Sequence, residues 1–394
     1  MDDQIKSCPP VIFCWALISP KKRGSFEDYL AGMGRESKKR GWRYIVCVIE
    51  PSEPALKNWL TSSGCELLCL DEEMISNTSY IISLLKQNQA NILHTHFIGP
   101  TDLAIVQCKL FWGGDIVFTD HSSNPLQTPQ VENTFLDRLR SLRQYIFSLA
   151  VCLYLPVSDF VAQRIARNIP PAKHKIHRLY NGIDLSRFRV LESEDQRTSL
   201  KQKLFGFEDD LPIVAFIGQL TIEKGIDRFI KVIENLLLEE LPCRFIIVGD
   251  GLYRPQVEEF CTKDEHFDQV KYLGLRSDVQ DILKVTDLFV MPSQWGEAFG
   301  LTAIEASAAS VAIIASRVGG LPEVVIDGQT GILIEHDDDK SLEASIRTLV
   351  LDPEKCQIYG RNGRQHAEES FQLKDMLENT FNHYQAVISR GSVR

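Results

Sequence analysis

The sequence predicts an α/β chain of two doubly wound domains closed by helices, and three observations predict it. Short apolar runs rich in β-branched and aromatic residues alternate with longer amphipathic stretches along almost the whole chain. That rhythm weakens once, between about 181 and 210, and then restarts. The 394 residues also exceed what one hydrophobic core holds, since single cores stop growing at roughly 250 to 300 residues.

The first strand is Val11–Ile18, an unbroken apolar run, and residues 26–40 follow it as a helix. Further strands read at Arg43–Ile49, Cys65–Leu70, Ile92–His94, Asp115–Thr119 and Val151–Val157, each followed by a helical pattern or a polar loop. The segment NGIDLSRF leads into the charged LESEDQRTSLKQKLFGFEDD and marks the domain join, which assigns 1–195 to a first domain and 205–375 to a second. In the second domain strands read at Ile213–Ile217, Arg244–Val248, Val270–Leu273, Leu288–Met291 and Val311–Ala315. Helices lie between them at about 225–239, 252–263, 278–285 and 300–309. Residues 340–350 and 353–390 are helical with no strand between, and a terminal helix, 376–394, is expected to pack back on the first domain. Open parallel sheets bind ligands beyond the C-terminal ends of their strands. Two such domains facing each other imply a cleft lined by strand ends and helix N-termini.

Composition narrows the class. Hydrophobic residues at 44% and charged residues at 24% are those of a folded protein, without long disorder. The net charge is −10; residues 1–194 carry 22 Lys+Arg and 20 Asp+Glu, so the acidity lies in the second half. No basic excess suits nucleic acid. The ten cysteines are scattered, and Cys65 and Cys69 have no His/Cys cluster to complete a zinc site, which fits reduced thiols in a cytoplasmic protein. The N-terminus is acidic rather than cationic, against a signal peptide, and no apolar run reaches the ~18 residues of a spanning helix. Two basic clusters, Lys38-Lys39-Arg40 with Arg43, and Arg138, Arg140 and Arg143, are candidates for peripheral contact with an anionic membrane or acceptor. Solvated helix faces are the plainer reading of both.

The chemistry concentrates at strand ends. In Met291–Ala306 a strand ends, a loop turns and a helix starts near Gly300, with Ala298, Phe299, Leu301 and Thr302 around it. Free N–H groups at a helix start make an anion site. Glu297 in the loop and Glu305 in the helix can accept hydrogen bonds from hydroxyls, although an isolated pair of glutamates would read as exposed. Gly218-Gln219 follows another strand and leads to Lys224, whose ammonium can neutralise developing negative charge. Gly24-Ser25 follows the first strand and His121 the fifth. His94 and His96 share a strand end but lack a third metal ligand, so they read as hydrogen-bonded histidines. Gly249 and the Leu275-Arg276 backbone lie at two further strand ends, where main-chain groups can read a base edge. No G-x-G-x-x-G follows the first strand of either domain, which argues against a dinucleotide cofactor and oxidoreductase chemistry.

PVSDFVAQRI, KIHRLYNGIDLSRF, FIGQLTIEKGID, FIIVGDGLYR, YLGLRSDV, VGGLPEVVIDGQTGIL and GRNGRQHAEESF, in this order, resemble the landmarks of the large retaining glycosyltransferase family 4. The family's hallmark is a Glu, seven residues, Glu pattern, which Glu297 and Glu305 match. The resemblance covers nearly the whole chain. It implies the GT-B fold, two Rossmann-like domains facing across a cleft, and transfer of a sugar from a nucleotide-sugar donor. It also implies that Glu297 holds the donor sugar, Glu305 the ribose, Lys224 the diphosphate, and that His121 lies near the donor sugar. Two positions depart from the family: Gln219 stands where Arg is usual, with Arg23 or a helix start in the first domain to compensate, and Ser25 stands for a usual glycine.

The expected activity is retaining transfer of a hexosyl or N-acetylhexosaminyl group to a hydroxyl of a glycan, lipid-linked or small acceptor, with a UDP-sugar favoured by the family's habits. It needs neither metal nor other cofactor, because Lys224 and the Gly300 helix start supply the positive field. The alternatives are an inactive glycosyltransferase-like partner subunit, suggested by Gln219, and a nucleotide-sugar epimerase of the same architecture.

Overall fold

A computed structural model describes residues 9–20, 23–51, 53–98, 102–123, 135–191, 193–263 and 269–391. The described residues of Met1–Ser122, Pro129–Gly182 and Leu373–Arg394 form one compact unit, and those of Ser123–Thr128 and Ile183–Gln372 a second. The change at Gly182/Ile183 comes before the expected boundary at 195. The cause is local: Ile183 N–H donates to the Phe371 carbonyl at 2.9 Å and Arg364 Nη1 to the Phe188 carbonyl at 2.8 Å. These bonds tie the NGIDLSRF segment to the second unit.

In the first unit β1 (Val11–Ala16), β2 (Arg43–Ile49), β3 (Glu66–Leu70), β4 (Ile92–His96), β5 (Asp115–Thr119) and β6 (Leu153–Tyr154) form a sheet of order β3-β2-β1-β4-β5-β6, parallel at every pairing. Its central strand is apolar throughout because both faces are covered, and all six residues of β1 are buried. β4 runs two residues past the expected His94, whereas β6 keeps only two residues of Val151–Val157. The helix Ser25–Arg40 buries Tyr29, Leu30 and Met33 and stops at Gly41, whose φ of 69° is the left-handed turn that ends many helices.

The expected helical run 353–390 is two helices, Pro353–Ser370 and Leu373–Gly391, separated at Phe371. The second belongs to the first unit. It buries Leu373, Met376, Leu377, Phe381, Tyr384 and Val387 at helical spacing in that unit's core. Gly32 is the notch that admits it, since a Cβ there would lie 2.6 Å from Leu377 Cδ1.

The second unit holds β7 (Ile213–Ile217), β8 (Arg244–Val248), β9 (Val270–Tyr272), β10 (Leu288–Met291), β11 (Ala312–Ser316) and β12 (Gly331–Ile334), in the order β12-β11-β10-β7-β8-β9. β12 is not among the expected strands. The helix Ile226–Leu238 covers the sheet with Ile226, Phe229, Val232, Ile233 and Leu236, all fully buried.

Counted from its own first strand, each sheet has the same order. In each the direction of winding reverses between neighbouring first and fourth strands, β1 with β4 and β7 with β10. Such a reversal opens a crevice beyond the strand C-termini, the place where doubly wound sheets take their ligands. Among the described residues no helix is long and apolar enough to cross a membrane.

Candidate functional site

In the second unit the crevice between β7 and β10 is closed by two loops stitched together. Gln294 N–H donates to the Glu223 carbonyl at 2.9 Å, and its side chain reaches Asp227 at 3.0 Å. Gly225 makes the approach possible: its φ is +76°, and a Cβ there would lie 2.0 Å from the Pro292 carbonyl oxygen. The stitching brings Lys224 Nζ to both oxygens of Glu297, at 2.6 and 2.8 Å. Ser293 Oγ donates to Glu297 Oε1 at 2.7 Å. The Glu297 side chain is 7% exposed and that of Lys224 26%, so the carboxylate is the sequestered partner and the ammonium the one that reaches solvent. A carboxylate so buried requires charge-assisted bonds to offset its lost hydration, and these three provide them.

The loop after β11 fixes Glu297 from the other side. Gly320 N–H donates to the Glu297 carbonyl at 2.8 Å. Gly319, at φ +58°, sits where a Cβ would come within 2.1 Å of the same oxygen. Arg228, buried, bonds Asp339 Oδ1 at 2.6 Å and the Pro292 carbonyl at 3.4 Å, bracing the start of the loop. Ser293, Gly319, Gly320 and Arg228 were not singled out from the sequence. The first lies four residues before Glu297, and the glycines sit in VGGLPEVV, so both signals were present.

The helix Leu301–Ala308 starts after Gly300, whose φ is 103°, and no side chain caps it. Leu301, Thr302 and Glu305 are partly exposed along it. Phe299 is a core residue, 2% exposed and edge-on to Phe371 at 5.4 Å. Ala298 is buried, and its N–H goes to Ser123 Oγ at 3.3 Å. Gly249 departs from expectation: its N–H donates to the Gly274 carbonyl at 2.9 Å and its carbonyl accepts from Tyr272 Oη at 2.9 Å. It is a structural glycine, wedged where a Cβ would meet the Gly218 carbonyl oxygen at 1.8 Å. Gln219 is exposed beside partly exposed Gly218. Leu275 is 60% exposed, and the Arg276 side chain bonds Asp278 at 2.8 Å.

The first unit's crevice has a different lining. His94 is bonded through both ring nitrogens, Nδ1 to Tyr384 Oη at 2.5 Å and Nε2 to Thr119 Oγ1 at 2.7 Å. His96 Nδ1 lies 3.0 Å from His121 Nε2, and His96 Nε2 is buried with no partner. Burial drives all three imidazoles toward neutrality, lowering His94 to about 3, His121 to about 4 and His96 well below its ordinary value. Phe97, which follows β4, is 42% exposed and has φ +59°, a left-handed backbone that a bulky residue rarely adopts. Its ring stacks on His121 at 4.6 Å, and Phe26 meets both rings edge-on, at 5.0 and 5.7 Å.

At Gly24-Ser25 the helix start is occupied from within the chain. Gly24 N–H donates to Glu27 Oε2 at 2.9 Å, the reciprocal half of a capping box, so the helix start already holds a carboxylate. Arg23 is likewise engaged, bonded to Asp28 Oδ1 at 2.7 Å and laid over the Trp59 ring at 4.4 Å. Lys39 and Arg40 pair with Glu36, and Arg43 with Glu66, as on a solvated face. The side chains of Arg138 and Arg140, and residues 124–134, lie outside the described residues. Among the described residues no group of three His, Cys, Asp or Glu could hold a metal ion.

Two parallel doubly wound units, with a lysine–glutamate pair at the second unit's switch point, define the class of proteins to compare. The profile of the family described as Glycosyltransferase Family 4 matches residues 27–187, and that described as Glycosyl transferases group 1 matches 197–366. The chain belongs to this family of GT-B glycosyltransferases and is a transferase enzyme. It is 27% identical over 353 residues to the alpha-maltose-1-phosphate synthase of Mycolicibacterium smegmatis, covering 85% of this chain and 86% of that protein. It is 32% identical over 213 residues to the GDP-mannose-dependent monoacylated alpha-(1-6)-phosphatidylinositol monomannoside mannosyltransferase of Corynebacterium glutamicum, 52% of this chain and 54% of that one. Among solved structures, Anabaena Alr3699/HepE in complex with UDP and glucose shares the fold, with a TM-score of 0.73 at 18% identity over 96% of this chain and 99% of that one.

Proposed function

We propose that the chain transfers a hexosyl or N-acetylhexosaminyl group from a nucleoside-diphosphate sugar to an acceptor hydroxyl, with retention at the anomeric carbon. The observation that carries this reading is the Lys224–Glu297 pair, held at a switch point with the ammonium toward solvent. Lys224 neutralises the departing diphosphate, Glu297 accepts from hydroxyls of the donor sugar, and Glu305 accepts from the ribose. The start of the helix Leu301–Ala308, which no side chain caps, adds to the positive field. Donor binding exchanges part of the Lys224–Glu297 bond for bonds to phosphate and hydroxyl, so the pair is a preorganised stand-in for its ligand.

Retention follows an oxocarbenium-like state in which the leaving diphosphate helps take the acceptor proton on the same face, with no protein nucleophile. A UDP-sugar is the favoured donor, in line with the UDP and glucose held by the Anabaena neighbour. The mannosyltransferase relative is GDP-mannose-dependent, so GDP-sugars belong in the same screen. Incubation with UDP-, GDP- and ADP-sugars, with nucleoside diphosphate release and product anomer read by NMR, tests the reading. Turnover undiminished by EDTA and a retained anomer are expected. An inverted anomer overturns the mechanism, and donor binding without turnover leaves only a partner role.

A further inference from the structure

We infer that the first unit has a second binding face, at the end of its sheet opposite the crevice, and that this face docks on an anionic lipid bilayer with a phosphate headgroup in a basic cavity. The inference stands apart from the sugar chemistry and concerns where the enzyme works.

The cavity is the first argument. It has a volume of about 560 Å³ and lies at the N-terminal ends of β5 and β6, bordered by Asp115, Cys152 and Leu153. Lys109, His174, Lys175, His177, His383 and Arg390 line it, brought together from three separate stretches of the chain. Among the described lining residues Asp115 is the one carboxylate, and it lies 3.8 Å from Lys109. Lys175 Nζ donates to the Ser148 and Val151 carbonyls, at 2.8 and 2.9 Å. These acceptors fix the ammonium at the end of the helix Phe135–Ala150, whose dipole sets roughly half a negative charge against a full positive one. Burial lowers the Lys175 ammonium below the ordinary lysine value, as expected of a cation short of a counter-ion. Among the described residues neither Lys175 nor Arg390 makes an ion pair. A phosphate ester would supply the missing charge and accept from several of these donors at once.

The surface beside the cavity is the second argument. The helix Phe135–Ala150 buries Phe147 and Ala150 but leaves Leu139, Leu142, Ile146 and Leu149 each 46–60% exposed. Their spacing of three, four and three residues puts them on one stripe. Leu103 and Leu110, seven residues apart on the helix Leu103–Phe111, are 60% and 72% exposed. An open groove of about 500 Å³ runs between the two helices, lined by Leu103, Val106, Leu139, Leu142 and Ile146. Leu149 ends the stripe and also lines the cavity, so the apolar stripe and the basic cavity are one continuous surface. From Leu139 to Ala150 the helix has two arginines and no acid. A surface helix ordinarily turns polar residues to water. Leucines in their place, with cations at the margin, suit the boundary between lipid headgroups and acyl chains. Charge decides the occupant. A two-fold contact between copies would bring two basic cavities into one interface, whereas a leaflet with anionic lipid satisfies the leucines and the cations together.

The test is flotation of the full chain with vesicles of phosphatidylcholine alone and of phosphatidylcholine with about 30 mol% phosphatidylglycerol, at low and high salt. Binding is expected to be at least about tenfold stronger to the anionic vesicles and to weaken with salt. Arg390→Glu with His174→Glu, both at exposed positions, should lower that binding about tenfold. Leu142→Glu with Leu149→Glu should lower it at least about tenfold, with circular dichroism and thermal unfolding as in the unaltered chain. Binding that ignores the phosphatidylglycerol content, or survives both double variants, overturns the inference. So does recognition of phosphate alone, in which glycerol 1-phosphate or inorganic phosphate raises the unfolding midpoint while no vesicle is bound. A dimer in analytical ultracentrifugation that Leu142→Glu with Leu149→Glu dissociates gives the stripe to a second copy, and overturns it as well.

Discussion

Beyond β7 and β10 the second unit holds an ion pair, Lys224 with Glu297, in which one partner is sequestered and the other reaches solvent. Beyond β1, β4 and β5 the first unit, with the same strand order, holds neutral imidazoles, exposed phenylalanine and a helix start capped by its own glutamate. One topology therefore supports two different linings. The strand order decides where a ligand can sit, and the side chains that follow each strand decide what charge it can carry.

The comparison can be broken most severely by removing residues 373–394. Six buried apolar side chains of the first core would be lost at about 2–5 kcal/mol each, more than the roughly 5–15 kcal/mol that holds a typical domain. Hydrogen exchange is expected to show β1 to β5 unprotected and β7 to β12 still protected. Next in size, Glu297→Ala and Lys224→Ala should each reduce transfer by about 10³-fold, roughly 4 kcal/mol. The double variant should fall well short of the product of the two, because they act as one unit.

Acid sharpens the contrast further. His94 and His96 stay neutral in the fold below pH 6.5 but take up protons once unfolded. The unfolded chain binds more protons in that window, so stability is lost as pH falls from about 6.5 toward 4. The loss approaches 1.4 kcal/mol per pH unit for each buried histidine. Urea unfolding at pH 7 and pH 5, followed by hydrogen exchange, should show the first unit weakening. The smallest effect expected is a gain: Phe97→Gly relieves the left-handed backbone, and the midpoint of the first unit's unfolding should rise by the equivalent of about 1 kcal/mol, measured by the same urea titration.

Much of this was legible in the sequence. The twelve-strand pattern announces itself through apolar runs of three to eight residues, and only β12 escapes, a four-residue strand between Gly331 and Ile334 that follows the polar turn IDGQT. Lys224 and Glu297 were each found, but their bond was not, because 73 residues separate them and only the adjacency of β7 and β10 joins them. The same holds for His96 and His121, 25 residues apart, one ending β4 and the other just past β5. Glu27 is a different case. Its three-residue spacing from Gly24 is a capping-box pattern in the sequence itself, obscured because the capping residue is glycine rather than Ser or Thr. Gly249 was misread since a glycine after a strand serves a ligand or a close backbone approach equally well, and only the Gly218 carbonyl at its Cβ position decides.

The helix Leu373–Gly391 gives the chain an order of assembly. Tyr384, whose hydroxyl bonds His94, lies 290 residues downstream of it. During synthesis the first unit's strands therefore emerge long before the helix that completes their core, whereas every residue of the second unit has been made by then. The second unit can mature on the ribosome, while the first must wait for the helix Leu373–Gly391 with part of its apolar face uncovered.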